Sequence, residues 1–286
     1  MAWGKQKSTT AAGKQTNIPQ QGLVVTCAAD LTPRKQARVW NGRFFVGKLG
    51  IIVGEPGVGK GQVTTLMAAK VSTGGDWPYG EGTARRGDVI YITAEDRAVD
   101  TIRPRLEAAG ANLNRVHIIE GVNDHFGPRP FNLVTDLGHL SALLRQVRKP
   151  RLVVVDPVIG CLSSTDVCRF NPNSVVQVRA LLRQYEHVAD EHRVAMVFVT
   201  HFTKANSGSV LSRVTGSFAF VAAARSVFTV ERKLDDPTQR VFAPAKNNLG
   251  GEANPLVFCI EERSTTGEIL APYAVFAPAN FDRNRI

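Results

Sequence analysis

The sequence predicts an α/β fold: a mostly parallel central sheet with helices on both faces and a C-terminal β-hairpin extension. Three observations carry this. Short apolar runs recur without a polar face. Segments with apolar residues three and four apart separate them. The first run leads directly into a glycine-rich loop that opens a helix, Gly54-Glu55-Pro56-Gly57-Val58-Gly59-Lys60-Gly61. Strands buried on both faces read as continuous apolar runs, and parallel neighbours need helical crossovers.

The elements follow in chain order. Residues 1 to about 21 are rich in Lys, Gln, Thr and Ala with no periodicity, so residues 1–30 are expected to form a disordered basic arm. Residues 31–286 are expected to form one large domain. Leu49–Val53 reads as a buried strand and Gly61–Val71 as a helix. Asp88–Thr93 is a second strand. Arg97–Ala109 places Val99, Ile102, Leu106 and Ala109 on one helical face, with Pro104 kinking or delaying the helix. Val116–Ile119 is a third strand. Leu137, Leu140, Leu144 and Val147 mark the next helix, which delivers the chain to the strand Leu152–Asp156. Residues 174–192 repeat the helical spacing with Val175, Val178, Leu182, Tyr185 and Ala189, before the strand Val194–Thr200. Phe218–Ala224, Ser226–Val230, Val241–Ala243 and Leu256–Ile260 are β-prone runs separated by turn residues, expected to form hairpins on one edge of the sheet.

Composition excludes several classes. With 43% hydrophobic and 21% charged residues, the bulk of the chain is globular. No apolar run approaches the ~20 residues of a membrane span, and the polar start has no signal-peptide core, so a cytoplasmic location is expected. Cys27, Cys161, Cys168 and Cys259 form no C-x-x-C pair and read as reduced thiols. The net charge is +10, and residues 1–48 carry eight Lys or Arg against one acid, Asp30. Such an arm attracts a polyanion or serves solubility alone. A second basic cluster, Arg145, Arg148, Lys149 and Arg151, is expected to place cations on the negative end of a helix dipole.

Gly54 to Gly61 matches G-x-x-x-x-G-K in strand–loop–helix context. The glycines let the backbone curl so that successive amides point inward. With the positive end of the following helix, these amides suit a phosphate chain, and Lys60 neutralises β- and γ-phosphate oxygens. The cofactor-binding residues are therefore Gly54, Glu55, Pro56, Gly57, Val58, Gly59, Lys60, Gly61 and Gln62. A dinucleotide fold is disfavoured, because Gln62 stands where the third glycine of G-x-G-x-x-G belongs. Gly61 replaces the usual Ser or Thr, whose hydroxyl ligates magnesium. Water takes its place, Thr64 substitutes, or magnesium binding and turnover are weakened.

Three further positions reach the same sheet edge. Asp156 ends a buried strand and is placed to hold magnesium through water, or else to cap a helix after it. Glu95 follows the second strand and either orients a water for in-line attack or, with Asp96, caps the next helix. His201 ends the strand at Thr200, where a polar group can sense the γ-phosphate and pass that state to the loop Ala205–Arg213, which is expected to be mobile.

These landmarks resemble the RecA-like P-loop ATPases of the RepA type, a branch of the AAA family containing the plasmid hexameric replicative helicase. The resemblance runs from about Val39 to Phe258. It covers Trp40-Asn41-Gly42-Arg43, the phosphate loop, Tyr91 to Asp96, Arg103 to Leu106, and Val155-Asp156-Pro157. It continues with Thr200 to Lys204, Arg213 to Phe220, and Lys246 to Leu249. It implies Glu95 as catalytic base, Asp156 as the magnesium acid and His201 as γ-phosphate sensor. It also implies ATP and Mg2+, a homo-oligomeric ring, most simply a hexamer, with ATP between subunits, and single-stranded DNA as partner. Arg213 and Lys246 resemble the cations that a neighbour inserts into the site, with Arg225 as the other candidate for the arginine; all three also read as ordinary surface cations.

The function expected is an ATP-driven ring motor on DNA in replication. The alternative is a nucleotide-gated regulatory or DNA-repair binding module with little unwinding, which Gly61 favours. A small-molecule phosphotransferase is the weakest of the three readings.

Overall fold

The computed structural model describes residues 26–163, 169–202, 218–251 and 253–276. The expected arm lies outside them up to residue 25. The chain divides into two compact units, Met1–Lys35 and Gln36–Ile286. Among the described residues, the first contributes an exposed 3-10 turn at Ala28–Asp30.

The second unit is a RecA-like α/β domain. Its elements are β1 (Arg38–Trp40), β2 (Phe44–Phe45), β3 (Leu49–Val53), α1 (Lys60–Thr73), β4 (Asp88–Thr93), α2 (Arg103–Ala108), β5 (Val116–Ile119), β6 (Val122–Asp124) and β7 (Gly127–Arg129). There follow α3 (Leu137–Gln146), β8 (Pro150–Asp156), α4 (Val175–Glu191), β9 (Ala195–Thr200), α5 (Phe218–Ala223), β10 (Ser226–Arg232), β11 (Gln239–Asn247), β12 (Leu256–Ser264) and β13 (Leu270–Phe276). Nine strands form one sheet in the order β13-β12-β11-β10-β3-β9-β8-β4-β5. From β10 to β5 all neighbours are parallel, and β10 to β13 form an antiparallel meander.

The continuous apolar runs have the physical cause the sequence implies. Successive side chains of a strand point to opposite faces, and both faces here are covered. Leu49, Ile51, Ile90, Ile92, Val153, Val155, Met196 and Phe198 pack on one side against α3, α4 and α5. Ile52, Val89, Tyr91, Leu152, Val154 and Val197 pack on the other, against α1, α2 and the C-terminal strands.

Four expectations change. Phe218–Ala224 is not a strand: Phe218–Ala223 is helix α5, with Ala219, Phe220, Val221 and Ala224 buried. Apolar runs of this length do not distinguish strand from buried helix, and the alanines favour helix. Arg97–Ala109 is a π-turn at Ala98–Ile102 followed by α2, with Pro104 in its first turn. Ile102 and Leu106 are buried, but Val99 is exposed. Val175 at the start of α4 is likewise exposed, although Val178, Leu182, Tyr185 and Ala189 are buried. Of the cluster Arg145 to Arg151, only Arg145 lies in the last turn of α3; Arg148 and Lys149 follow the helix and Arg151 is in β8.

The meander returns across the second face. Arg263 Nη1 donates to the Ala108 carbonyl at 3.1 Å, and Thr266 N to Glu107 Oε1 at 2.7 Å, tying β12 and the turn after it to α2. Pro272 sits in β13, an edge strand, where its missing N–H costs no ladder bond. The same face holds a fully buried arginine. Arg43 donates from Nε and Nη2 to Glu81 at 2.7 and 2.6 Å, and from Nη2 to the Asn254 carbonyl at 2.7 Å. Its guanidinium lies 5.3 to 5.5 Å from the rings of Trp40, Phe228 and Phe242. Trp40 stacks on Trp77 at 4.4 Å and donates to Glu81. Trp40 and Arg43 of the sequence motif are thus parts of the core beneath the sheet.

Candidate active site

Parallel strands end on one edge, and β3, β4, β8 and β9 all deliver their C-termini there. A cleft of about 360 Å3 opens on that edge. Gly57, Gly59, Lys60, Gly61 and Gln62 line it from the phosphate loop, Glu95 and Asp96 from β4, Asp156 from β8 and His201 from β9. Four separate strand ends therefore bring the predicted loop, acids and histidine into one cavity.

The loop has the backbone its chemistry needs. Gly57 has φ 69° and Gly59 φ 104°, both left-handed. A Cβ on Gly59 would also come within 2.9 Å of Ile260 Cδ1. Gly59 is the N-cap of α1 and has no side-chain cap, so the first amides of that helix point into the loop. Glu55, Pro56 and Gly57 are exposed at the loop tip, Gly54 and Val58 are buried beneath it, and Gln62 is buried in the first turn of α1.

Lys60 is buried, and its Nζ donates to the carbonyls of Gly54 and Glu55 at 3.0 and 2.8 Å. It also lies 3.0 Å from His201 Nδ1. Burial pushes the Lys60 pKa down to about 8, opposed by Asp156, Glu55 and Glu95. Burial, and then the Lys60 charge, lowers that of His201.

Asp156 is the most perturbed acid of the cleft. Burial raises its pKa to about 6, against the Tyr91 hydrogen bond and the Lys60 charge. Tyr91 OH donates to its Oδ2 at 3.1 Å, and the Thr64 hydroxyl, 2.9 Å from Tyr91 OH, reaches the same oxygen at 3.5 Å. Thr64 is fully buried, and its one hydroxyl hydrogen has the Gly61 carbonyl, at 2.9 Å, as its nearer acceptor. Its hydroxyl thus orients the acid from behind and does not replace the one missing at Gly61. Asp156 does not cap a helix: the next turn, Ile159–Cys161, has Val158 at its N-cap.

Glu95 is exposed in the cleft. The expected helix cap comes from neither Glu95 nor Asp96. Glu120 Oε1 accepts from Ala98 N at 3.0 Å, and Asp96 Oδ2 accepts from Arg105 Nη1 at 2.7 Å. Arg105, Ile260 and Pro272 also line the cleft, beyond the residues the sequence singles out. Of these, Arg105 alone carries a signal, its place in the Arg103-Pro104-Arg105-Leu106 motif.

Of the remaining candidates, the described ones lie elsewhere. Arg213 and Lys204 fall outside the described residues. Lys246 pairs with Val227 near the start of β10, on the sheet edge opposite the cleft. Its Nζ donates to the carbonyls of Val221, Ala222 and Ala224 at 2.8, 3.2 and 2.8 Å, holding the C-terminus of α5. Arg225 lies on that same far edge, 3.8 Å from Glu186.

The donors present suit magnesium. That ion binds through one or two carboxylates, waters and substrate phosphates, and Asp156 offers one carboxylate beside Lys60 and Gly61. Among the described residues, no group of three His, Cys, Asp or Glu offers a complete metal cage, and no helix is long and apolar enough to cross a membrane. Cys27, Cys161 and Cys259 are free thiols, and burial raises the Cys161 pKa to about 12.

Fold and cleft together define a RecA-like P-loop nucleotide-binding domain. Residues 16–207 match the AAA domain family, and the chain belongs to it. It is similar to the DNA repair protein RadA of Bacillus subtilis (strain 168), 25% identical over 239 residues, covering 84% of this chain and 44% of that protein. It is 26% identical to the DNA repair protein RadA of Brucella abortus (strain 2308), covering 83% of this chain and 48% of that one. Against the DNA repair protein RadA of Mycolicibacterium smegmatis it is 30% identical over 171 residues, covering 58% and 31%. The chain spans less than half the length of these relatives.

Proposed function

We propose that this chain is an ATP-hydrolysing motor that works on DNA as a ring of identical subunits. The observation that supports it is the convergence of Lys60, Glu95, Asp156 and His201 on one cleft at the ends of neighbouring parallel strands. In this reading the amides after Gly57 hold the phosphate chain. Lys60 leaves the Gly54 and Glu55 carbonyls for the β- and γ-oxygens. Glu95, open to solvent, takes the proton of the water that attacks the γ-phosphorus in line, as the bond from that phosphorus to the β–γ bridging oxygen breaks and ADP and phosphate are left. Asp156 would hold Mg2+, which supplies charge neutralisation on the phosphates when bound.

The distribution of cations supports the ring. Lys246 and Arg225 are one strand length from their own phosphate loop, roughly 13 Å at about 3.3 Å per residue. On this reading they would act on a neighbour's nucleotide and not on their own, leaving the α5 carbonyls and Glu186 to do so. The name of the RadA relatives supports DNA as the partner, and the RepA-type motifs support a helicase-like cycle.

A second reading has its own observation. Gly61 lacks the magnesium hydroxyl and Thr64 does not replace it, which favours a nucleotide-gated repair module with slow turnover. Phosphate release measured across a single-stranded DNA titration, with assembly checked by solution mass, tests the motor. Stimulated turnover together with strand displacement supports it. Turnover that stays flat in the assembled protein rules it out, and ATP-dependent DNA binding without displacement leaves the gated module.

A further inference from the structure

The six mutually parallel strands all begin on the edge opposite the cleft. Each is entered through a basic residue: Arg225 before β10, Lys48 before β3, Arg193 before β9, Lys149 before β8, Arg86 before β4 and Arg115 before β5. Arg85, Arg148 and Arg151 add to the row. Far apart in sequence, these cations become one line only through the sheet order.

The edge has two halves. Below β10 and β3, Arg225 and Lys48 share Glu186, at 3.8 and 3.3 Å. Below β9, β8, β4 and β5 the balance fails. Asp88 is taken by Arg115 at 3.1 Å and Glu191 by Arg145 at 3.1 Å, while Asp190 is exposed close to Gly47. Among the described residues, the ion pairs include none from Arg85, Arg86, Arg148, Lys149 or Arg193, all of them exposed. Arg151 lies between them with its Nε buried and without a hydrogen-bond partner. Arg85 and Arg193 are near enough to add to the burial that lowers its pKa. Asp88 also lines the groove, but it is held by Arg115 and by the Lys149 amide at 3.0 Å; the surplus cations repel one another, and a bound polyanion relieves that repulsion. A shallow groove of about 610 Å3 runs through this half, walled by Arg86, Arg115, Arg148, Asn112, Asn114 and His117.

We propose that this edge is a second, sequence-independent contact surface for the phosphodiester backbone of duplex DNA. The proposal rests on the reading that the chain acts on DNA. Guanidinium and amide donors match phosphate oxygens. Four strands about 4.8 Å apart spread them over roughly 15 Å, enough for several phosphates. Among the described residues, no Phe, Tyr or Trp lines the groove, so it lacks the stacking platforms that hold single strands. The surface faces away from the chain's own ATP cleft, so duplex held here leaves that nucleotide site open.

The test uses the full chain and a fluorescein-labelled duplex, with anisotropy read between about 50 and 200 mM salt. Oligothymidylate and polyglutamate serve as competitors. The combined variant Arg85→Ala, Arg86→Ala, Arg148→Ala changes only exposed side chains, and ATP binding by calorimetry reports that it is folded. The expected result is duplex binding weakened at least ~10-fold at low salt, a log–log salt slope flattened by about 2 to 3, and unchanged ATP affinity. The matching triple Lys variant retains most of the binding. Equal duplex affinity in the Ala variant overturns the proposal, as does loss of oligothymidylate binding with duplex binding intact. Displacement of the duplex by polyglutamate at equal charge overturns it in favour of an acidic protein partner. A wild-type chain that binds ATP but no duplex sinks this proposal alone, whereas duplex binding without ATP binding sinks the ATPase reading and spares this one.

Discussion

The Lys60 ammonium stands 3.0 Å from His201 Nδ1. An ammonium can only donate, so Nδ1 accepts and the imidazole is neutral with its proton on Nε2. The lowered pKa of His201 agrees with that state. In the proposed cycle, a γ-phosphate that draws Lys60 away would deprive His201 of this partner. On that reading the end of β9 would receive a signal that depends on nucleotide state.

Nucleotide binding should take up a proton in mild alkali. The Lys60 pKa is lowered to about 8, so above that pH the nucleotide-free amine loses its charge. A polyphosphate favours the ammonium and raises the pKa again. Calorimetry at about pH 8.5 in two buffers of different ionisation enthalpy should therefore give different binding heats, converging near pH 7. Identical heats at both pH values would remove this role from Lys60.

Glu95→Gln should leave ATP affinity within about twofold and slow hydrolysis by 10²- to 10⁴-fold, roughly the range of a lost general base. Single-turnover phosphate release reads this directly. Wild-type turnover in the variant would transfer the role to Asp96 or Asp156.

Asp156→Asn should separate stability from activity. Burial raises the Asp156 pKa from 3.8 to about 6. The sign is that of a raised carboxylate: its contribution to folding is full below the unfolded value of 3.8 and is lost as pH climbs from there through about 6. Above that pH the charged form costs on the order of 3 kcal/mol. Asn keeps an acceptor for Tyr91 and Thr64 but carries no charge. Its melting temperature should rise by a few degrees at pH 8, while magnesium-dependent turnover collapses. A lower melting temperature at pH 8 would refute the sign.

Gly61→Ser is expected to increase activity. An added Cβ meets Asp156 Oδ2 at 3.6 Å and Arg105 Nη1 at 3.7 Å, both ordinary contacts. The new hydroxyl would restore the ligand that Ser or Thr usually supplies after the loop lysine, so the magnesium concentration for half-maximal hydrolysis should fall several-fold. An unchanged magnesium dependence would show that Gly61 does not limit metal binding.

Glu81→Ala should destabilise the fold without touching the cleft. It strands the fully buried Arg43 guanidinium, and removing one partner of a buried pair costs about 3 to 5 kcal/mol. Urea denaturation measures this. A loss below about 1 kcal/mol would mean that the aromatic rings and the Asn254 carbonyl suffice for the charge.

The parallel core and its loop are legible in the sequence because each strand is buried on both sides and so writes an unbroken apolar run, as Leu152-Val153-Val154-Val155 does for β8. Lys60 stands out through the G-x-x-x-x-G-K spacing, and Asp156 and His201 through their places at strand ends. What escapes the sequence depends on tertiary closure. Tyr91 reads as one more apolar strand residue, yet its hydroxyl bonds Asp156. Ile260 and Pro272 reach the cleft only because the meander folds back over α1 and α2. Helix α5 reads as a strand because a short apolar run carries no period. Of the basic row across the far edge, the sequence shows only the local cluster Arg148, Lys149 and Arg151; its other members lie as far apart as Arg85 and Arg193 and join it only through the sheet order.

The most direct test is calorimetric titration of the wild-type chain and Lys60→Ala with ATP and magnesium. The account predicts saturable binding at one site per chain and at least ~100-fold weaker binding in the variant, the loss of a buried charge-assisted phosphate contact. Wild-type protein that retains no ATP, or a variant that binds it equally well, would contradict the assignment of the cleft.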